Sequence, residues 1–406
     1  MKSSIRFAWP MARSARLTRW TLSAIFIFGV AMTLWIADRT FTPSSASNRA
    51  GARILNQSSI RNPYRKEDLE RRIKDLSAST DLGRVANRTL GFETVIAIGL
   101  PERSDKRDAL HLMAALSGFD IDWVDGVKPS EISNKALPFG IDLKSVQDNF
   151  LGGWRGHMNA IRRVVNSGVS SALIMEDDMD WDLHLKLQLN DIAQGTRQVL
   201  KESSSHVPES PYGDSWDVLW LGHCGEPFPE TLEENVGLEA EAKARMNVKY
   251  AINEDNTVPP YSEVSRLVDW SAFPAGTRLV HLSAAPICSF AYALSQSAAR
   301  KILFALSVDG LHMAFDNSLA QLCRDSIHDL GLQKEGGYRL KCISVNPTIM
   351  FHHRAKGRVH GDSDVQNFGQ EGQVRERGFS ESIKWSMRLN LRKILTGQPL
   401  VPQFSM

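Results

Sequence analysis

The chain has 406 residues, enough for a large buried core and about two or three structural units. A net charge of +2 with 23% charged residues gives no case for a nucleic-acid partner. Cys224, Cys288, Cys323 and Cys342 are too few and scattered for a disulfide scaffold and lack the paired spacing of a zinc site. In an oxidising compartment they form up to two bridges, with Cys323–Cys342 the expected one.

Residues 1–19 carry Lys2, Arg6, Arg13, Arg16 and Arg19 and no acid. An uncharged run follows at residues 20–37, closed by Asp38 and Arg39. As a helix it is roughly 27 Å long, enough for a thin bilayer. Trp20 and Trp35 fall near its two ends, where indoles favour the membrane interface. The basic flank stays cytosolic and sends the rest into the lumen, as a type II signal anchor in the Golgi or endoplasmic reticulum membrane. A cleaved signal peptide and a mitochondrial presequence are the rivals; the apolar run is long for the first and not amphipathic enough for the second. Sequons at Asn56 and Asn87 agree with a lumenal body.

Residues 38–90 read as a stem, polar at first and then a charged helix with Leu69, Ile73 and Leu76 on one side. The body, residues 91–365, alternates strand-like and helix-like segments. Strands are expected at residues 94–98, 121–127, 172–175, 216–221, 281–294 and 340–350. Helices are expected at 103–116, 153–168, 183–202, 297–306 and 317–323. Such alternation predicts a three-layer α/β body with a mainly parallel sheet. Residues 226–278 read as an insertion or long loops near a binding surface. Residues 366–406 form a tail with a basic amphipathic helix at 382–395.

The chemistry concentrates in one stretch. The apolar run Ala172-Leu173-Ile174-Met175 breaks into Glu176, Asp177, Asp178, Asp180 and Asp182. If the backbone stays extended, Glu176, Asp178, Asp180 and Asp182 share one face. Two readings stand at this point: a solvated acidic loop, or a cation site whose hard oxygen ligands suit magnesium or manganese.

Three other segments join it. The turn at residues 97–107 places Arg103, Lys106 and Arg107 at a helix start, either a phosphate environment or a solvated basic face. Gly152-Gly153-Trp154-Arg155-Gly156-His157 opens a helix where glycines let a ligand approach, and His157 is either a ligand partner or a structural group. Asp316 either caps a helix with Asn317 or serves as a general base. Residues 351–364 hold three histidines among basic residues and either close over an anion, donate a nitrogen to a metal, or form a polar tail.

Together these segments resemble glycosyltransferase family 25, which includes lipooligosaccharide and collagen galactosyltransferases. The resemblance rests on residues 98–107, the Trp123-Val-Asp-Gly-Val127 strand, Gly153 to His157 and Leu173 to Asp180, with weaker support from Asp316 and Ser363-Asp364-Val365. It spans residues 92–365 and implies a GT-A-like fold, a UDP-sugar donor, most often UDP-galactose, and inversion at the anomeric carbon. On that resemblance, Asp178 and Asp180 bind Mn2+ or Mg2+, and Glu176 and Asp177 orient the ribose or the metal ligands. Leu100, Arg103, Arg107, Asp125, Gly153 and His157 line the donor site, and Asp316 is the base. The family usually has Ser before the helix histidine, where this chain has Gly156. The implied partners are a nucleotide sugar, a glycan or glycoprotein acceptor, and the membrane through the N-terminal helix. Two rivals from other classes are a glycoside hydrolase, which also needs paired carboxylates, and a non-catalytic lectin-like or scaffold protein.

Overall fold

The computed structural model describes residues 53–55, 66–79, 81–141, 148–202, 207–332, 337–365 and 369–404. The expected membrane segment at residues 20–37 and the sequon at Asn56 lie outside the described residues. Among those described, no helix is long and apolar enough to cross a membrane.

The chain first lays down β1 (Arg53–Leu55), α1 (Lys66–Ser79), β2 (Thr94–Gly99), α2 (Ser104–Ser117), β3 (Asp122–Asp125), α3 (Asp148–Ser167) and β4 (Ser171–Glu176). It continues with β5 (Met179–Trp181), α4 (Leu185–Val199), β6 (Val218–Gly222), α5 (Ala240–Met246), β7 (Val248–Ile252) and β8 (Arg278–Leu282). The last elements are β9 (Ala291–Ser295), α6 (Gln296–Phe304), α7 (Phe315–Leu332), β10 (Cys342–Asn346), β11 (Met350–Arg354), β12 (Gly357–Arg358), β13 (Val374–Arg375), β14 (Phe379–Ser380) and α8 (Met387–Leu395).

Nine strands form one mixed sheet in the order β1-β7-β8-β10-β6-β9-β4-β2-β3. Both β8 and β9 run against both of their neighbours, and all other pairs are parallel, so the remaining strands share one direction. The expectation of a large α/β sheet with mostly parallel strands is met. Its strands read as continuous apolar runs because both faces are covered.

Alternation sorts each strand between two cores. Val95, Ala97, Leu173, Met175, Leu219 and Leu221 join Leu110 and Met113 of α2 and Leu189 and Ile192 of α4 on one face. Ile96, Ile98, Ala172, Ile174, Val218 and Trp220 join Trp154, Met158 and Ile161 of α3, Ile302 of α6 and Leu319 of α7 on the other. The result is a helix layer on each side of the sheet.

Several expectations change. The stem does not run to residue 90: Leu69 is buried, Leu76 packs on the core, and Val85 and Leu90 are core residues. Residues 226–278 are not all loop, because β7 adds a strand and Phe228, Ala251, Val264, Val268 and Trp270 make a small core with Leu279. Residues 281–294 hold parts of two strands, not one. The C-terminal segment is not a tail either, since Ile383 and Met387 belong to the core and Trp385 is buried. Cys323 pairs with Cys342, as expected, and Cys224 with Cys288.

The glycines of α3 belong to its packing. The helix begins at Asp148, so Gly152 lies inside it rather than opening it. A Cβ at Gly152 would stand 2.6 Å from the Val127 carbonyl, and one at Gly156 would stand 3.0 Å from Ile98, whereas one at Gly153 would meet nothing within 4 Å. Gly152→Ala is therefore expected to cost about 1–3 kcal/mol by overpacking. Gly153→Ala is expected to gain roughly 0.5–1 kcal/mol from helix propensity. Denaturant melts of the two variants check both signs.

Candidate functional site

The chain passes from β2 to β3 on one side of β2, then crosses to β4 on the other. The connecting helices take opposite faces, α2 on one core and α3 on the other. Reversal of winding opens a crevice at the carboxyl ends of β2 and β4, the place where open α/β sheets bind ligands. The turn after Gly99 and the acids after Met175 both enter it.

The four acids expected on one face, Glu176, Asp178, Asp180 and Asp182, do not share it. Asp177 and Asp178 form a turn between β4 and β5, which breaks the expected alternation and divides the acids into two groups. Asp180 and Asp182 point into protein. Asp180 is fully buried; one oxygen accepts from the Ser380 hydroxyl at 2.5 Å and from the Ser386 hydroxyl. Its other oxygen takes the backbone N–H of Trp181 at 2.8 Å and of Arg388 at 3.0 Å. Burial pushes its pKa up, and those donors pull against the rise. Asp182 accepts from the N–H and ring of His184 at 2.9 and 2.8 Å and from the Trp385 N–H at 3.0 Å. These two acids hold the C-terminal segment, and Asp180, expected as a metal ligand, has both oxygens occupied.

Glu176, Asp177 and Asp178 face the crevice. Asp177 is buried against Gly99, where a Cβ would come within 2.5 Å of its carboxylate. Its Oδ1 receives Lys106 Nζ at 3.0 Å; burial raises its pKa and Lys106 opposes the rise. Asp178 lies 3.8 Å from the same ammonium through Oδ2, while its Oδ1 is buried with no partner. The Asp178 carbonyl accepts from the His353 N–H at 2.7 Å, pinning the turn to β11. Glu176 lies deep in the crevice with a third of its side chain still open to solvent. Burial, then the neighbouring Asp178 and Asp316 charges, push its pKa up.

Lys106 is the charge that lets these acids stand together. Its Nζ also meets Asp364 at 2.6 Å, so three carboxylates surround a nearly buried ammonium. Burial works to lower its pKa, but Asp178, Asp177 and Asp364 outweigh burial and raise it. Arg103, at the N-cap of α2, bonds Asp364 and Asp105. Arg107 is engaged elsewhere: it donates to the Gly99 carbonyl at 2.7 Å, pairs with Asp125 and lies over the Trp123 ring at 4.6 Å. Asp125 lines a shallow open groove of about 580 Å³ beside β3 with Asn159, Arg162 and Arg163. That groove stands apart from the acids of the β4 turn. Leu100 sits at the turn, its carbonyl taking the Arg103 N–H at 3.1 Å.

The opposite wall comes from β9 and α7. His157 is buried, stacks on Phe315 at 4.2 Å between ring centroids, and meets the Tyr292 hydroxyl at 2.9 Å through Nδ1. Its Nε2 lies 3.6 Å from Glu176. Burial lowers its pKa to about 3, so the ring is neutral. Asp316, in the first turn of α7, accepts from the Cys288 N–H at 3.2 Å. Cys288 has φ of 68°, a left-handed backbone uncommon outside glycine, and is bridged to Cys224. Glu176 is thus close enough to feel both the Asp178 and the Asp316 carboxylate.

Three site residues gave little sign in the sequence. Asp364 had only a short motif around it, and Lys106 read as one basic residue among several. His352 packs its ring on Phe290 at 4.3 Å and feels the Asp178 charge, while burial lowers its pKa to about 4. Among the described residues, no group of three His, Cys, Asp or Glu side chains is gathered to hold a metal by protein ligands alone. One free carboxylate oxygen on Asp178 fits a magnesium- or manganese-type ion that draws its other ligands from substrate phosphates and water. No protein-family model matches the chain, and no curated protein is significantly similar to it.

The two halves of the acidic run predict very unequal stability effects. Asp180→Ala strands buried hydroxyl and N–H donors and is expected to cost about 3–5 kcal/mol. Asp178→Ala removes a carboxylate with one unpartnered oxygen and is expected to stay within about 1 kcal/mol of the parent. Urea midpoints at fixed pH compare the two.

Proposed function

We propose that the protein is a metal-dependent, inverting glycosyltransferase that moves a hexose, galactose on the family 25 resemblance, from a UDP-sugar to a hydroxyl of a glycan or glycoprotein. The observation that most supports this is the buried, partnerless Oδ1 of Asp178 at the switch-point crevice, with Asp316 on the opposing wall. The sheet order, the helix layer on each face and the motif-level resemblance to family 25 agree with a GT-A-like body. Two disulfides suit an oxidising lumen, and with it a type II anchor in the Golgi or endoplasmic reticulum membrane.

In this reading the donor diphosphate lies between the Asp178 turn and the first turn of α2. Asp178 would hold Mn2+ or Mg2+, and Asp180 keeps the turn in place through its strand. The ion's chemistry is to offset the charge that develops on the departing diphosphate. Asp316, steadied by the Cys288 N–H, takes the proton from the acceptor hydroxyl as that oxygen bonds the anomeric carbon and the bond to phosphate breaks. His157, neutral and stacked on Phe315, orients Glu176 at the crevice floor.

The raised Glu176 pKa favours one second reading. A carboxylic acid beside the Asp316 carboxylate is the equipment of a glycoside hydrolase. Turnover separates the two. With a panel of UDP-sugars and Mn2+, the transferase releases UDP and loses that release on chelation; a hydrolase instead frees sugar from oligosaccharides and ignores the nucleotide.

Asp178→Ala is expected to lower UDP release by at least about 100-fold. Asp316→Asn is expected to lower transfer by roughly 10²–10⁴ while leaving UDP affinity near the parent value. Titration calorimetry with UDP, with and without Mn2+, supplies the affinity; absence of binding in both conditions sinks the transferase reading in favour of a non-catalytic protein.

A further inference from the structure

The excursion between β12 and β13 carries a carboxylate that the transferase mechanism leaves idle. Asp364 receives Arg103 Nη1 on both oxygens, at 2.6 and 2.5 Å, and Lys106 Nζ at 2.6 Å. Arg103 and Lys106 both belong to the start of α2, and their side chains are only 19% and 7% exposed. This arrangement is a small anion seat, two cations converging on one carboxylate, and the same N–H groups donate to phosphate oxygens equally well.

A third cation lies on α8, the helix that packs against α2. Arg388 stands at the start of α8, delivered there by its own N–H bond to Asp180. Its Nη1 is buried and has no partner. Burial holds its pKa below the ordinary value, against the pull of Asp180, Asp178, Asp105 and Asp177. A carboxylate satisfies Arg103 and Lys106 but leaves this donor unused. A phosphoryl group carries more oxygens and more charge, enough to engage all three.

We propose that Asp364 is an internal occupant of a phosphoryl-binding seat, exchanged for one phosphoryl group of a diphosphate ligand that takes over Arg103 and Lys106 and gains Arg388. The proposal rests on the reading that the crevice receives a nucleoside diphosphate, but it needs no sugar transfer to be tested. When Asp364 leaves, Lys106 keeps its contact with Asp177, so the ammonium is never stranded. Asp364 thereby sets the affinity threshold for the diphosphate.

Inorganic pyrophosphate, inorganic phosphate and UDP are titrated in turn by calorimetry against the full chain, Asp364→Asn and Arg388→Gln. Asp364→Asn keeps the side-chain shape and removes its charge; pyrophosphate and UDP are expected to bind about 10-fold tighter or more. Arg388→Gln keeps the backbone bond to Asp180 and is expected to bind both about 10-fold more weakly. Tight binding of UDP with none of pyrophosphate would locate recognition in the nucleoside and overturn the seat. Unchanged or weaker binding by Asp364→Asn overturns it as well, since a plain structural ion pair or a direct ligand contact gives those results. Hydrogen exchange on the parent protein is independent of any variant: amides at residues 359–365 are expected to exchange faster once pyrophosphate is added, and unaltered exchange overturns the proposal. Failure of the transferase reading looks different, as pyrophosphate would still bind tighter to Asp364→Asn while no UDP-sugar is turned over.

Discussion

A single ammonium decides whether the acidic turn after β4 can exist. Lys106 is nearly buried, yet three carboxylates lie around its Nζ, two of them on adjacent residues of one turn. Adjacent buried carboxylates repel, and desolvation alone would protonate them. The ammonium supplies part of the counter-charge from within the chain. It does not balance three carboxylates, and Asp177 and Glu176 are still pushed up in pKa. In the proposed transfer, a cation would add the missing charge at the one Asp178 oxygen that Lys106 does not reach.

The sheet was legible because its strands are apolar on both faces, and runs such as Ala172 to Met175 announce burial whatever the pairing. The two-residue turn at Asp177 and Asp178 was not, since nothing in an acidic run marks where extension stops. The fate of Asp180 was hidden for a different reason: the hydroxyls that satisfy it belong to Ser380 and Ser386, 200 and 206 positions later. Reading a pattern of alternating acids as one ligand set assumes a local answer to a non-local question. β7 was missed for a similar reason, because its neighbour β1 is remote in sequence and Lys249 interrupts its apolar run. The helix glycines invited a ligand in the sequence, but at Gly152 and Gly156 the close neighbour is the protein's own backbone and Ile98.

The two walls of the crevice are built with different stiffness. On the α7 side, stacked rings of His157 and Phe315, the Tyr292 hydroxyl and the Cys224–Cys288 bridge hold Asp316 through covalent and buried contacts. On the α2 side, the arginine and lysine are held through ion pairs to a carboxylate from a distant excursion. Ion pairs of that kind exchange partners more readily than packed aromatic rings do. In the proposed transfer, rigid placement of Asp316 opposite an adaptable cationic rim would suit a leaving group that changes charge and a nucleophile that must not wander.

The clamp that Asp180 and Asp182 form around Ser380, Trp385 and Ser386 has a consequence for the order of folding. Its two sides lie about 200 positions apart, so the clamp closes only when remote parts of the chain have met. Until then each acid has local donors alone, the Trp181 N–H for Asp180 and the N–H and ring of His184 for Asp182. Closure is therefore a long-range event whose loop entropy must be met before its hydrogen bonds form.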